Sequence, residues 1–451
     1  ALTAGRDVDL IARAGALSVA MATAARDVSL NGQSVSVAGN LSAGRDIAVQ
    51  AQAGNIGLVG ATAGDDIVLL ASGSITATSG LVSGQATSVD GVGFADALAG
   101  RTLVGNDIES DSAGGTFASL TANGTSSDVV IDGTNGILSV GSINAGQDID
   151  LASGTLTTGA LNSGRDIILL ARSGAITTGA LTSARDLSLT GNAVTATGLL
   201  SARDIAIRAT AGNISLAGAS ARDDIALRAT GTVSSSGALV SGAAVSTDQD
   251  GVADALVGST LLGNDISING QGGTIASIAA NGAQSDVAID GGNGTTSVGA
   301  IIVGRDAILA SGSLVTTTIN AGRDIDLTAR TSTLTVGAMA APRNLVLTGQ
   351  SVIGGAVSGT DVAVRATGAT GTVTLASVAA GDDIAIRAAG AIAVSGGLTS
   401  GTATSSDSDG AADSLTGTSL GGGNDIDVRG GSVSVGGAMR ASGTGSDIRV
   451  V

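Results

Sequence analysis

Asp204-Ile205-Ala206-Ile207-Arg208 is the stretch that decides the fold. Its two isoleucines point to one side of an extended chain, and Asp204 and Arg208 point to the other. That period of two marks a half-buried strand. Asp7-Val8-Asp9-Leu10-Ile11-Ala12-Arg13 alternates in the same way, with Val8, Leu10 and Ala12 inward. A small residue, then usually Arg or Asn, then Asp, opens the phrase each time. It stands at Gly5-Arg6-Asp7, Ala25-Arg26-Asp27, Gly44-Arg45-Asp46, Gly64-Asp65-Asp66 and Gly105-Asn106-Asp107, and it continues to Asp425 and Asp447. Neighbouring aspartates lie about 20 residues apart, with three intervals of 41 or 42. Such a period is the mark of a repeat architecture. A second short strand follows in many units, as in Gly212-Asn213-Ile214-Ser215-Leu216, and Gly or Ser clusters bound the strands. Two or three strands in about 20 residues, without a helical stretch, describe one coil of a parallel β-helix.

The composition of the 451 residues agrees. Small aliphatics stack well on similar neighbours at the ~4.8 Å strand spacing, whereas bulky aromatics are not expected to fit a narrow lumen. The chain has two Phe (Phe94, Phe117), no Trp, Tyr, His or Cys, 72 Gly and a single Pro, Pro342. All 21 basic residues are arginine, and Glu109 is the one glutamate among 38 acids. Histidine bases, thiol nucleophiles, lysine Schiff bases and His/Cys metal sites are thereby excluded. A net charge of −17 and the missing aromatic platforms argue against nucleic acid. Mean hydropathy is +0.42, yet the apolar runs are far shorter than the roughly 20 residues of a spanning helix. Ala1 to Leu10 show neither the basic nor the apolar region of a signal peptide.

A longer repeat is superimposed. Leu81-Val82-Ser83-Gly84 returns as Leu239-Val240-Ser241-Gly242 and Leu398-Thr399-Ser400-Gly401, offsets of 158 and 159. The organisation expected is residues 1–80 as the back half of a long repeat, 81–238 and 239–397 as two full ones, and 398–451 as a front half. If every interval were a coil, ~22 coils would form a rod on the order of 105 Å. Both termini fall inside the array, so the stretch is expected to be a piece of a longer protein or a subunit that stacks end to end.

The phrases AGRDVDL (4–10), SGRDIILLA (163–171) and AGRDIDLTA (321–329) resemble the repeats of filamentous haemagglutinin, over nearly the whole chain. That family of large exoproteins and adhesins is exported across the Gram-negative outer membrane by two-partner secretion. The resemblance implies a right-handed parallel β-helix, and with the period and offsets above the expected fold is an all-β solenoid of about 20-residue coils with a 158-residue higher-order repeat. The resemblance also implies an extracellular or cell-surface location. Shaft repeats are shared by family members with different activities, so no functional residue is carried over.

The long intervals hold the candidate site. Their extra residues lie near 85–104, 243–262 and 402–422, and read TSVDGVGFADALAG, VSTDQDGVADALVG and TSSDSDGAADSLTG. The aligned acids are Asp90 and Asp96, then Asp248, Asp250 and Asp254, then Asp407, Asp409 and Asp413. In D-x-D-G-x-x-D, carboxylates two apart converge, Gly allows a sharp turn and a third acid closes the site, which suits Ca²⁺. The pattern resembles half of a thrombospondin type 3 or EF-hand loop but lacks the bidentate Glu, and Val92 replaces the middle Asp in the first copy. The alternatives are a solvated acidic turn with a short helical excursion around Ala253–Leu256, or an ordinary coil without its Asp mark. Gly421-Gly422-Gly423-Asn424-Asp425 echoes calcium β-rolls, but the period of about 20 argues against that reading.

The recurring Asp has a structural reading. It accepts backbone N–H bonds in its turn, and nearby arginines offset the stacked charges on a solvated face, with Arg13, Arg172, Arg208, Arg228, Arg330, Arg365 and Arg387 as partners across coils. Because the acids recur with the repeat, no unique constellation marks an enzyme. Threonines at 157–158, 177–178 and 197 form a rank too short for an ice-binding face. The expected function is a non-catalytic shaft of a secreted adhesin, or a calcium-stabilised, self-assembling extracellular scaffold. Its expected partners are copies of itself and a host or neighbouring cell surface.

Overall fold

A computed structural model describes residues 1–84, 93–201, 203–242, 251–401, 410–417, 420 and 423–451, with the backbone alone at 200 and 201. The chain is all-β, 57% strand and 4% helix, with parallel coils of about 20 residues stacked in a β-solenoid of about 21 turns. Two compact units, Ala1–Gly212 and Asn213–Val451, are built on one plan.

In the first unit, strands Val28–Gly32, Ile47–Ala51 and Ile67–Ala71 pair in parallel. Val28, Ile47 and Ile67 form one column and Leu30, Val49 and Leu69 the next, all buried. A second sheet stacks Val35–Ala43, Ile56–Ala63 and Ile75–Ser83, with Val35, Ile56 and Ile75 in register. Like side chains one above another bury each other's flanks, at about 1.5–3 kcal/mol for each fully buried Val, Leu or Ile. The second unit repeats the pattern: Ile266, Val287, Ala307 and Ile325 form a column across four strands.

The lumen holds one aromatic that composition alone argued against. Phe117 is buried inside the first unit, opposite Ala77 of the coil before it and Val140 of the coil after. A ring fits because the preceding coil supplies only a methyl group at that position.

The long intervals add no coil. Strand Ile67–Ala71 pairs directly with Ile108–Asp111, Ile225–Ala229 with Ile266–Asn269, and Ile384–Arg387 with Ile426–Arg429. Each insert instead carries a six-residue helix, α1 (Phe94–Ala99), α2 (Val252–Val257) and α3 (Ala411–Thr416), so the helical excursion is what forms. The 158- and 159-residue offsets between their first residues preserve the long repeat.

Candidate functional site

The recurring aspartates form a ladder. At most steps the carboxylate accepts the backbone N–H of the ladder residue one coil later, not one in its own turn. Asp27 N lies 3.3 Å from Asp7 Oδ1, Asp148 N 2.9 Å from Asp128 Oδ1, and Asp306 N 3.0 Å from Asp286 Oδ1. Where the later coil carries the arginine of the phrase, that arginine clasps the same carboxylate through Nε and Nη2. Arg26 holds Asp7, Arg45 holds Asp27 and Arg165 holds Asp148; Arg305 on Asp286 and Arg323 on Asp306 repeat this in the second unit. Fork-to-carboxylate pairs of this kind are the strong ones. The partners are therefore the arginines of the phrase itself. Arg172 reaches Asp132 and Arg330 reaches Asp290, both outside the ladder. Nor is the ladder a solvated face, since Asp27, Asp46 and Asp186 are buried.

The ladder changes chemistry just before each insert. Asp65 takes the column that Arg26 and Arg45 occupy: Arg45 N bonds to Arg26 O at 2.8 Å, and Asp65 N to Arg45 O at 3.0 Å. Asp46 thus faces a carboxylate where its predecessors face a guanidinium. One oxygen from each of Asp46, Asp65 and Asp66 lies within 4.8 Å of the others, and all three residues are buried. Burial, then the charge of Asp27, pushes Asp46 up to about 7. Burial pushes Asp66 up to about 8, opposed by the Asp107 N–H that donates to its Oδ1 at 2.7 Å. In the second unit Asp382 takes the equivalent column, its N–H bonded to Thr360 O at 2.7 Å, and burial pushes the neighbouring Asp383 up to about 7. The sequence signal was visible as the doublets Asp65-Asp66, Asp223-Asp224 and Asp382-Asp383, where Asp replaces the Arg or Asn of the phrase.

The insert helices dock on this altered stretch. The N-terminus of α1 meets Asp46, with Ala95 N 3.4 Å from Asp46 Oδ2. Gly93 at its N-cap, at φ 155°, abuts the carboxylate so closely that a Cβ there would overlap Oδ2. Gly410 stands against Asp361 in the same way, and Ala411 N lies 3.3 Å from Asn344 Oδ1. Beneath α1, Ala95 and Leu103 pack on Val68, with Leu70, Leu98 and Ala99 around them. Val68 is an outward strand position made apolar and buried, as are Ala226, Ala363 and Ala385. At the equivalent position other coils carry exposed or half-buried residues such as Ser29, Ile168 and Asp326.

Of the predicted metal ligands, Asp248, Asp250, Asp407 and Asp409 lie outside the described residues, as does Asp90. Asp254 and Asp413 sit in the first turns of α2 and α3, and Asp96 in that of α1. Each folds the chain back behind its helix. Asp96 Oδ1 accepts Leu103 N at 2.7 Å, Asp254 Oδ1 accepts Leu261 N at 2.6 Å, and Asp413 Oδ1 accepts Leu420 N. The glycine before each helix therefore serves as N-cap and, at 93 and 410, allows close approach to the ladder. The return to the coil is pinned by Ser83 Oγ on Asn106 O at 2.7 Å and Ser241 Oγ on Asn264 O at 2.7 Å.

The threonine rank is shifted from its expected register. Thr157 and Thr177 continue to Thr195, not Thr197, and run back through Ser139, Thr116 and Thr76. Thr158 and Thr178 are buried, with their hydroxyls bonded at 2.9 Å. The column is single file, since Thr155 beside it pairs with Ile137. No protein-family profile, curated protein or solved structure matches the chain.

Proposed function

We propose that the chain is a structural shaft segment of a filamentous-haemagglutinin-like adhesin, carried outside a Gram-negative cell by two-partner secretion and without catalytic activity. The observation that supports this best is the coil-to-coil ladder. Backbone and carboxylate, joined at many steps by a guanidinium, link successive coils with a repeated chemistry, which suits a fold that extends by adding similar units. The absence of cysteine and the local nature of these links fit a chain that crosses a pore unfolded and folds coil by coil outside. A net charge of −17 keeps such a surface soluble and repels other anionic surfaces.

Immunogold electron microscopy of intact cells, with antibody raised against this segment, tests the reading. Label displaced outward from the outer membrane and removed by external protease is expected. Label confined to the cell interior would sink it. Adhesion, as opposed to passive projection, is read by deleting residues 85–104, 243–262 and 402–422: a shaft keeps its attachment, a binder using the inserts loses it.

A further inference from the structure

We propose that Asp46, Asp65 and Asp66 form a binding site for a hard divalent cation, with Ca²⁺ the best fit, set in the ladder beside the docked α1 and built from other residues than the metal ligands expected from the sequence. The geometry admits one ion: oxygens that share a Ca²⁺ at 2.3–2.6 Å stand at most ~5 Å apart, and these lie within 4.8 Å of one another. The donor set is carboxylate oxygen alone, which selects Ca²⁺, Mg²⁺ or Mn²⁺ over softer metals.

An independent sign is the state of Asp46. It is completely buried, and its Oδ1 has no hydrogen-bond partner among the described residues, a costly arrangement for a carboxylate oxygen. Its other oxygen is partly satisfied, by Ala95 N at 3.4 Å and Arg45 Nε at 3.9 Å. Arg45 is already committed to Asp27. Three buried carboxylates thus converge where every ladder step with an Arg has a guanidinium, and a +2 ion supplies the missing positive charge. Asp66 is held in place by the Asp107 N–H on its Oδ1. Waters complete the shell, which places the affinity on the order of 10⁻⁴–10⁻³ M, as in extracellular calcium modules.

The test counts bound Ca²⁺ by equilibrium dialysis of the 451-residue chain at pH 8, with Mg²⁺ as competitor. Asp65→Arg restores the ladder phrase and offers Asp46 the clasp that Arg45 gives Asp27, so this variant is expected to fold and to bind one Ca²⁺ fewer than the wild type. Asp65→Asn is the near-isosteric control and is expected to lose the same ion. A chain with Asp248, Asp250, Asp407 and Asp409 all changed to Asn keeps that ion and loses it only when Asp65→Arg is added. If both Asp65 variants bind as many ions as the wild type, or if the wild type binds none at 10 mM Ca²⁺, roughly ten times the weakest affinity expected, the site does not exist. The same holds if the quadruple variant alone abolishes all binding. None of these failures bears on the shaft reading, which rests on where the protein is displayed.

Discussion

Arg45 and Asp27 stand 18 residues apart in the chain and one coil apart in space, joined by Nε at 2.8 Å and by Nη2. Asp27 is 1% exposed, and the Arg45 side chain 15%. Arg343 makes the same two-pronged contact with Asp324, but its side chain is 57% exposed. One geometry in two environments allows the contribution of burial to be isolated.

Arg45→Ala is expected to destabilise its region by roughly 3 kcal/mol, because it strands a buried carboxylate. Arg343→Ala leaves a hydrated one and is expected to cost about 0–1 kcal/mol. Urea denaturation of the two variants side by side measures the contrast, and equal shifts would contradict it.

Gly93→Ala places a methyl group on Asp46 Oδ2 at a φ of 155°. The expected result is undocking of α1 at a local cost of about 1–3 kcal/mol, with the coils beneath intact. Hydrogen exchange reports it as faster exchange at Ala95 to Ala99 and Leu103, with unchanged rates in strand Ile47–Ala51.

Asp254→Ala removes the acceptor for Leu261 N, held at 2.6 Å. The amide of Leu261 should lose protection, and stability should fall by about 1 kcal/mol, the usual value of such a bond. The loss should be the same in calcium and in chelator. A loss seen only in calcium would make Asp254 a metal ligand after all.

The pH dependence follows from burial. Desolvation first of all pushes Asp46, Asp107, Asp265 and Asp383 up to about 7, and Asp66 up to about 8. Unfolded, these groups titrate near ~3.9. Between those values the folded chain holds more protons than the unfolded chain, so stability falls as pH rises. Their contribution is fully present below about pH 4 and is lost through 7 to 8. Asp132 and Asp290 run the other way, held below the usual range by Arg172 and Arg330, so their contribution fades in acid. In chelator the melting temperature should decline from pH 6 to 8, a window set by these values. A flat or rising profile would contradict the assignment.

The coil was legible because its evidence is local: Ile205 and Ile207 alternate within one strand, and the aspartates count out the period. The ladder was legible only in part. That Asp accepts an N–H can be read from one residue; that the N–H belongs to the next coil depends on register across some 20 residues. The same gap hid the trio, since Asp46 and Asp65 become neighbours only once two coils are stacked. The docking surface left its mark in Val68, Ala226, Ala363 and Ala385, outward positions with no charge or hydroxyl, which alternation alone records merely as interruptions. Phe117 shows the reverse error: composition excluded an aromatic from the lumen, but Ala77 opposite makes the space.

The one-coil offset of the ladder also bears on how such a chain can change over time. Each coil that carries the arginine donates to its predecessor and accepts from its successor through the same three groups. Where consecutive coils carry the arginine, as from Arg165 to Arg203, a coil duplicated or deleted whole leaves every donor with an acceptor and every carboxylate with its arginine. The length of the solenoid can therefore drift by unequal recombination without any compensating substitution. The steps without an arginine, among them those at Asp65 and Asp382 where an insert helix leans on the stack, are not interchangeable with those that carry one.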